Sequence, residues 1–263
     1  MTDHPPVEKK QNSGLSVLLK SSHLSIGYGS EALIQSVSFQ IQLGDVLAVV
    51  GHNGSGKSTL VKTLLGVIPP IRGSFDWPGG RPDIIAYLGQ ITEFDRKFPI
   101  RVRDLVAMGA WHSFGLLGHL SRHTHERIET ALRRTNIEHI ADEPMHILSS
   151  GQLQRALFAR TMVQDAPLIL LDEPFTAVDQ TTETQLLKLI DAWAAEGRAI
   201  ILVLHDLSAV LEHCTKALLL GNGRAQFGLS RDVLTPANLV DHGYLSSSQA
   251  SWIETMFAAQ QRD

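Results

Sequence analysis

The most constraining stretch is Gly51-His52-Asn53-Gly54-Ser55-Gly56-Lys57-Ser58-Thr59, directly after the apolar run Asp45–Val50. Its Gly-x4-Gly-Lys-Ser spacing is that of a phosphate-cradling loop between a strand and a helix. Gly51, Gly54 and Gly56 let the backbone turn tightly with its N–H groups pointing inward. The start of the following helix adds its dipole, which favours an anion. Lys57 supplies a full positive charge near the outer phosphates, and Ser58 offers a hydroxyl to Mg²⁺. Such a loop needs a buried strand on one side and a helix on the other, so it commits the chain to an α/β sheet.

The surrounding pattern agrees. Val37–Gln42 alternates like a half-buried strand, Val17–Leu19 is a shorter strand candidate, and Thr59–Leu65 reads as a helix. Ile84–Leu88, Leu168–Leu171, Ile200–Leu204 and Ala217–Leu220 are further β-like runs. Thr181–Trp193 places Leu186, Leu187 and Ile190 on one helical face. Asn222-Gly223 is a hairpin signal. From about Val102 to Gln164 only helical spacing occurs, in Val102–Met108, Ile128–Leu132 and Leu153–Met162. This predicts a mostly parallel sheet with helices on both faces and a helical insert over about 100–164. Residues 1–14 read as a flexible tail, 15–245 as the main domain and 246–263 as an amphipathic helix. On that helix Trp252, Ile253, Met256 and Phe257 share a stripe.

Composition narrows the function. The chain has 263 residues, with 23 basic and 27 acidic side chains and a net charge of -4. That balance argues against a dedicated nucleic-acid binder. One cysteine, Cys214, excludes an intrachain disulfide and a Cys-rich zinc module. The densest apolar runs, Pro167–Leu171 and Ala199–Leu204, fall far short of the roughly 18–20 residues of a membrane span. Asp3 and Glu8 do not suit a signal peptide. The expected location is the cytoplasm, with docking to the membrane through partners.

A second motif gives the loop a reaction. Leu168–Leu171 delivers Asp172 and Glu173 to a strand end, where ligands bind in open α/β sheets. Asp172 suits the Mg²⁺ shell. Glu173 suits a general base or a group that positions water for attack on the γ-phosphate. The two motifs together read as a nucleoside triphosphatase.

Leu148-Ser149-Ser150-Gly151-Gln152 resembles the LSGGQ signature of ABC-type ATPases. The order of phosphate loop, Gln90, LSSGQ, Asp172-Glu173, Asp179 and His205 is similar to the order in that family. The likeness spans roughly residues 16–240. It implies a P-loop core with a mixed, mostly parallel sheet, an antiparallel β subdomain and an inserted helical subdomain. It implies that Tyr28 stacks on adenine, that Gln90 senses Mg²⁺ and the γ-phosphate, and that His205 is the switch histidine beside Glu173. It implies that residues 51–59 hold ATP and that Ser58, Gln90 and Asp172 hold Mg²⁺. Ser149, Ser150, Gly151 and Gln152 are then expected to touch the ATP of a second copy, with Asp179 as the D-loop aspartate. Ser150 stands where glycine is usual, and Gly89 where a proline commonly precedes the glutamine.

A narrower resemblance lies in Phe98-Pro99-Ile100, Val102, Val106, Met108 and Gly109, in Phe175, and in Leu234-Thr235-Pro236-Ala237-Asn238-Leu239. These are similar to ATP-binding subunits of zinc and manganese importers. Arg155–Asp165 and Val203–Asp206 look closest to the zinc branch. That likeness implies integral membrane permease subunits and, indirectly, a metal-binding substrate protein as partners. Manganese, a ferric chelate or a corrinoid as cargo, and a soluble ABC ATPase in cofactor assembly, remain the alternatives. His112, His119, His123 and His125 crowd one stretch, and the simplest expectation for them is an exposed polar loop rather than a metal site.

Overall fold

In the computed structural model, residues 16–90, 96, 98–114 and 121–251 are described. Two long strands come first, β1 (Val17–Tyr28) and β2 (Glu31–Gln42), followed by β3 (Val46–Gly51), α1 (Lys57–Leu65), β4 (Arg72–Asp76) and β5 (Ile85–Leu88). The insert holds α2 (Val102–Ala107), a 3₁₀ turn over Met108–Ala110, α3 (Trp111–Phe114), α4 (Arg122–Arg134) and α5 (Ser150–Gln164). Then come β6 (Leu168–Asp172), α6 (Gln180–Ala195), β7 (Ala199–Val203), α7 (Leu207–His213), β8 (Lys216–Gly221), β9 (Arg224–Leu229), α8 (Ser230–Val233) and α9 (Pro236–Asp241).

The main sheet has six strands in the order β5-β6-β7-β3-β8-β9. All neighbours are parallel except the β8–β9 hairpin. The hairpin turns at Asn222 and Gly223, both at positive φ, as the Asn-Gly signal predicts. Parallel strands buried on both faces read as continuous apolar runs, and all six residues of β3 are buried. Successive side chains alternate between two cores. Val46, Ala48 and Val50 face the side covered by the helical insert and α6. Leu47 and Val49 face the side covered by β1, β2 and α1.

That second cover refines the sequence expectation. Alongside α1, an antiparallel sheet in the order β2-β1-β4 closes the other face. Val17–Leu19 opens a twelve-residue strand whose pairing with β2 shifts register several times. Those irregularities break strict alternation and hide its length. β4 is Arg-Gly-Ser-Phe-Asp, with almost no apolar signal, and exists through its pairing with β1. The described residues reach the start of the C-terminal segment, where Ser246 N–H donates to Gln249 Oε1 (2.9 Å). Trp252, Ile253, Met256 and Phe257 lie outside the described residues, as do residues 1–14 and His119.

Candidate functional site

Strand direction assembles the site. β5, β6, β7 and β3 run parallel and end along one edge. Gln90 follows β5, Asp172 ends β6 with Glu173 next, His205 follows β7, and the phosphate-type loop follows β3. Four motifs far apart in sequence therefore meet at one rim, the ligand-binding edge of open parallel sheets.

A cavity of about 530 Å³ opens there, lined by Tyr28, Leu33, Asn53, Gly54, Gly56, Lys57, Ser58, Thr59, Gln90 and Glu173. Its size suits a small-molecule ligand. Leu33 was not among the expected residues. It lies on β2 two residues past Glu31, the pairing partner of Tyr28, and only the fold brings it to the cavity. Tyr28 is 56% exposed, so it is an edge aromatic rather than a core one.

The loop geometry requires its glycines. A Cβ on Gly51 would lie 2.4 Å from Leu220 O of the neighbouring strand, and Gly56 caps α1 with φ 100°. Lys57 is buried at the start of α1, and its Nζ donates to Gly51 O (2.7 Å) and His52 O (3.1 Å). Ser55 N–H donates to His52 O (3.1 Å), and His52 Nδ1 lies 2.8 Å from Asn53 O. Burial holds the Lys57 ammonium below the usual lysine value, opposed by the Glu173 and Asp172 carboxylates. The ammonium thus sits between a loop rich in N–H groups and two acids.

Across the cavity His205 Nε2 lies 2.8 Å from Glu173 Oε1. Glu173 has φ 51°, a left-handed backbone for a side-chain-bearing residue. Tyr244 O–H donates to His205 O (2.5 Å), tying the histidine loop to the segment after α9. No sequence signal marks Tyr244. A smaller cavity behind the pair is lined by Glu173, Phe175, Glu183, His205 and Asp206, among others. Burial first, then Asp206, raises the Glu183 carboxyl above its ordinary value.

The LSSGQ residues lie elsewhere. Ser149 is the N-cap of α5, and Ser150 is its first helical residue. Gln152 N–H donates to Ser149 Oγ (3.2 Å) while Ser149 N–H donates to Gln152 Oε1 (2.9 Å). The motif is thus a capping box, and serine suits position 150 because that residue need only begin a helix. None of Ser149, Ser150, Gly151 and Gln152 lines the cavity of this copy. Asp179 caps α6, its two oxygens accepting from Thr182 N–H (2.9 Å) and Thr182 Oγ1 (2.8 Å). Those bonds hold its carboxyl below the usual value.

The profile of the ABC transporter family matches residues 34–176, more than half of the chain. The chain belongs to the ABC transporter family. As an ABC ATPase it binds and hydrolyses ATP, and its mixed sheet with an antiparallel subdomain is the fold of that family. It is 32% identical over 221 residues to the manganese transport system ATP-binding protein MntB of Bacillus subtilis, covering 82% of this chain and 88% of that protein. It is 34% identical over 202 residues to the zinc transport system ATP-binding protein TroB of Treponema pallidum, covering 75% of this chain and 76% of that one. A solved chain from an inward-facing transporter described as metal-chelate type superposes with a TM-score of 0.79 at 32% identity, covering 88% and 90%. Among the described residues, no helix of this ABC ATPase is long and apolar enough to cross a membrane. Among the described residues, no group of three or more His, Cys, Asp or Glu is placed to hold a metal ion.

Proposed function

We propose that this ABC ATPase powers import of a divalent metal ion, zinc as the first cargo to test, through separate permease subunits on the inner face of the cell membrane. A metal-binding substrate protein would deliver the cargo on the other side. The supporting observation is the identity of a third or so to ATP-binding proteins of manganese and zinc transport systems. The Phe98-Pro99-Ile100 and Val106-x-Met108-Gly109 stretches favour the same group.

In this reading Tyr28 stacks on adenine. The backbone N–H groups of residues 51–59 surround the phosphates, and Lys57 neutralises the outer ones. Ser58, Gln90 and Asp172 offer hydroxyl, amide and carboxylate oxygens, the hard donor set that Mg²⁺ prefers. The ion, when bound, would draw charge from the bridging phosphate oxygens. Glu173 aligns a water and takes its proton as the water oxygen bonds to the γ-phosphorus. The bond to the β–γ bridging oxygen then breaks, releasing ADP and phosphate. His205, hydrogen-bonded to Glu173, keeps that carboxylate aimed and contacts the γ-phosphate. Positioning and charge neutralisation do most of the work.

Since Ser149–Gln152 lie outside their own cavity, we assign them to the ATP of a second copy, with Asp179 at the same seam. ATP then holds two faces together, and loss of the γ-phosphate releases them, a population shift driven by differential contacts. The test is total cellular metal, by elemental mass spectrometry, with and without this gene under mild chelation. A selective fall in zinc, rescued by added zinc, is expected. A fall in manganese would change the cargo, and an unchanged profile would overturn metal import.

A further inference from the structure

Gln154 lies on α5 among the apolar residues Leu153, Ala156, Leu157 and Phe158, and is 2% exposed. Its Nε2 donates to Pro174 O, while its buried Oε1 has no hydrogen-bond partner among the described residues. A half-satisfied buried amide is a cost to stability, whereas methionine would fill the same volume without it. Packing alone therefore does not account for glutamine here.

What Nε2 grips is the carbonyl next to Glu173. The Glu173–Ala177 loop has left-handed backbone at both ends, with φ 51° at Glu173 and 62° at Ala177. Its own turn bonds are long, Thr176 N–H to Glu173 O at 3.3 Å and Val178 N–H to Phe175 O at 3.4 Å. Strained backbone persists only where its surroundings over-determine it. α5 provides that hold at two successive residues, since Phe175 also stacks on Phe158 with ring centres 6.5 Å apart.

We propose that Gln154 is a positioning residue for ATP hydrolysis, its amide fixing the Glu173–Pro174 turn so that the Glu173 carboxylate stays aimed at the nucleotide cavity. This rests on the reading of Glu173 as the group that activates water. It gives a role to a residue outside the nucleotide cavity and outside the signature motif.

The experiment is steady-state ATPase kinetics and thermal unfolding of the full chain for wild type, Gln154→Met, Gln154→Leu and Glu173→Gln. Both Gln154 variants are expected to lose about tenfold in kcat, with KM for ATP within about twofold of wild type and an unfolding midpoint equal or higher. A merely structural role would instead lower the midpoint and move KM with kcat. If Glu173→Gln is inactive while either folded Gln154 variant keeps kcat within about twofold, the inference is overturned and the reading of Glu173 stands. If Glu173→Gln keeps wild-type kcat, that reading falls and takes the inference with it.

Discussion

Single side chains in this ATPase are set by where burial and charge leave them. Burial holds the Lys57 ammonium below the usual lysine value, and two nearby carboxylates offset only part of that cost. Cys214 shows the opposite case. It is 5% exposed, and burial with the Asp191 charge pushes its thiol up to about 12. The folded value is above the unfolded one of roughly 8.5. Its contribution to stability is therefore full below about pH 8.5 and is lost as pH rises through about 12. The native protein should not react with a thiol reagent at pH 8, and should release one thiol per chain in denaturant. The alkaline loss of stability from pH 9 upward should be smaller in Cys214→Ala. Stoichiometric labelling of native protein at pH 8 would contradict this picture. At this scale the sequence was very informative for the motif residues, because Gln90, Lys57, Ser58 and Glu173 owe their place to strand ends. Tyr244 and Gln154 were illegible, since each acts on a backbone carbonyl brought near only by the fold.

Among the elements, α5 has the most varied duties. Its first turn is the capping box of the signature, its second grips the Glu173 loop, and its apolar face packs with the other helices of the insert. Gly109 explains why the Val-x-Met-Gly stretch ends in glycine. A Cβ there would lie 2.2 Å from Arg160 O and 3.0 Å from Val163 Cβ, both on α5. Gly109→Ala must push the 3₁₀ turn off the helix, an overpacking cost of about 1–3 kcal/mol. Urea unfolding should show that loss, and an unchanged midpoint would mean the turn moves freely. The elements also separate what sequence could and could not convey. β3, β6 and β7 announce themselves as apolar runs because they are buried on both faces. β4 does not, for Arg72, Gly73, Ser74 and Asp76 are exposed and only partnership with β1 makes them a strand.

Across the whole molecule, the nucleotide cavity and the LSSGQ turn stand apart within one copy. Lys57, Gln90, Glu173 and Tyr28 share a cavity, while Ser149–Gln152 belong to no part of its wall. ABC-family membership fixes the ATPase reaction, and the sandwich of two copies is the proposal that gives the signature a ligand. A hydrolysis-blocked variant should trap that state, since the γ-phosphate then stays in place. The most direct measurement is sedimentation equilibrium of Glu173→Gln at micromolar concentration with ATP and Mg²⁺. The account predicts a dimer with ATP and a monomer with ADP. A monomer under both conditions would contradict it.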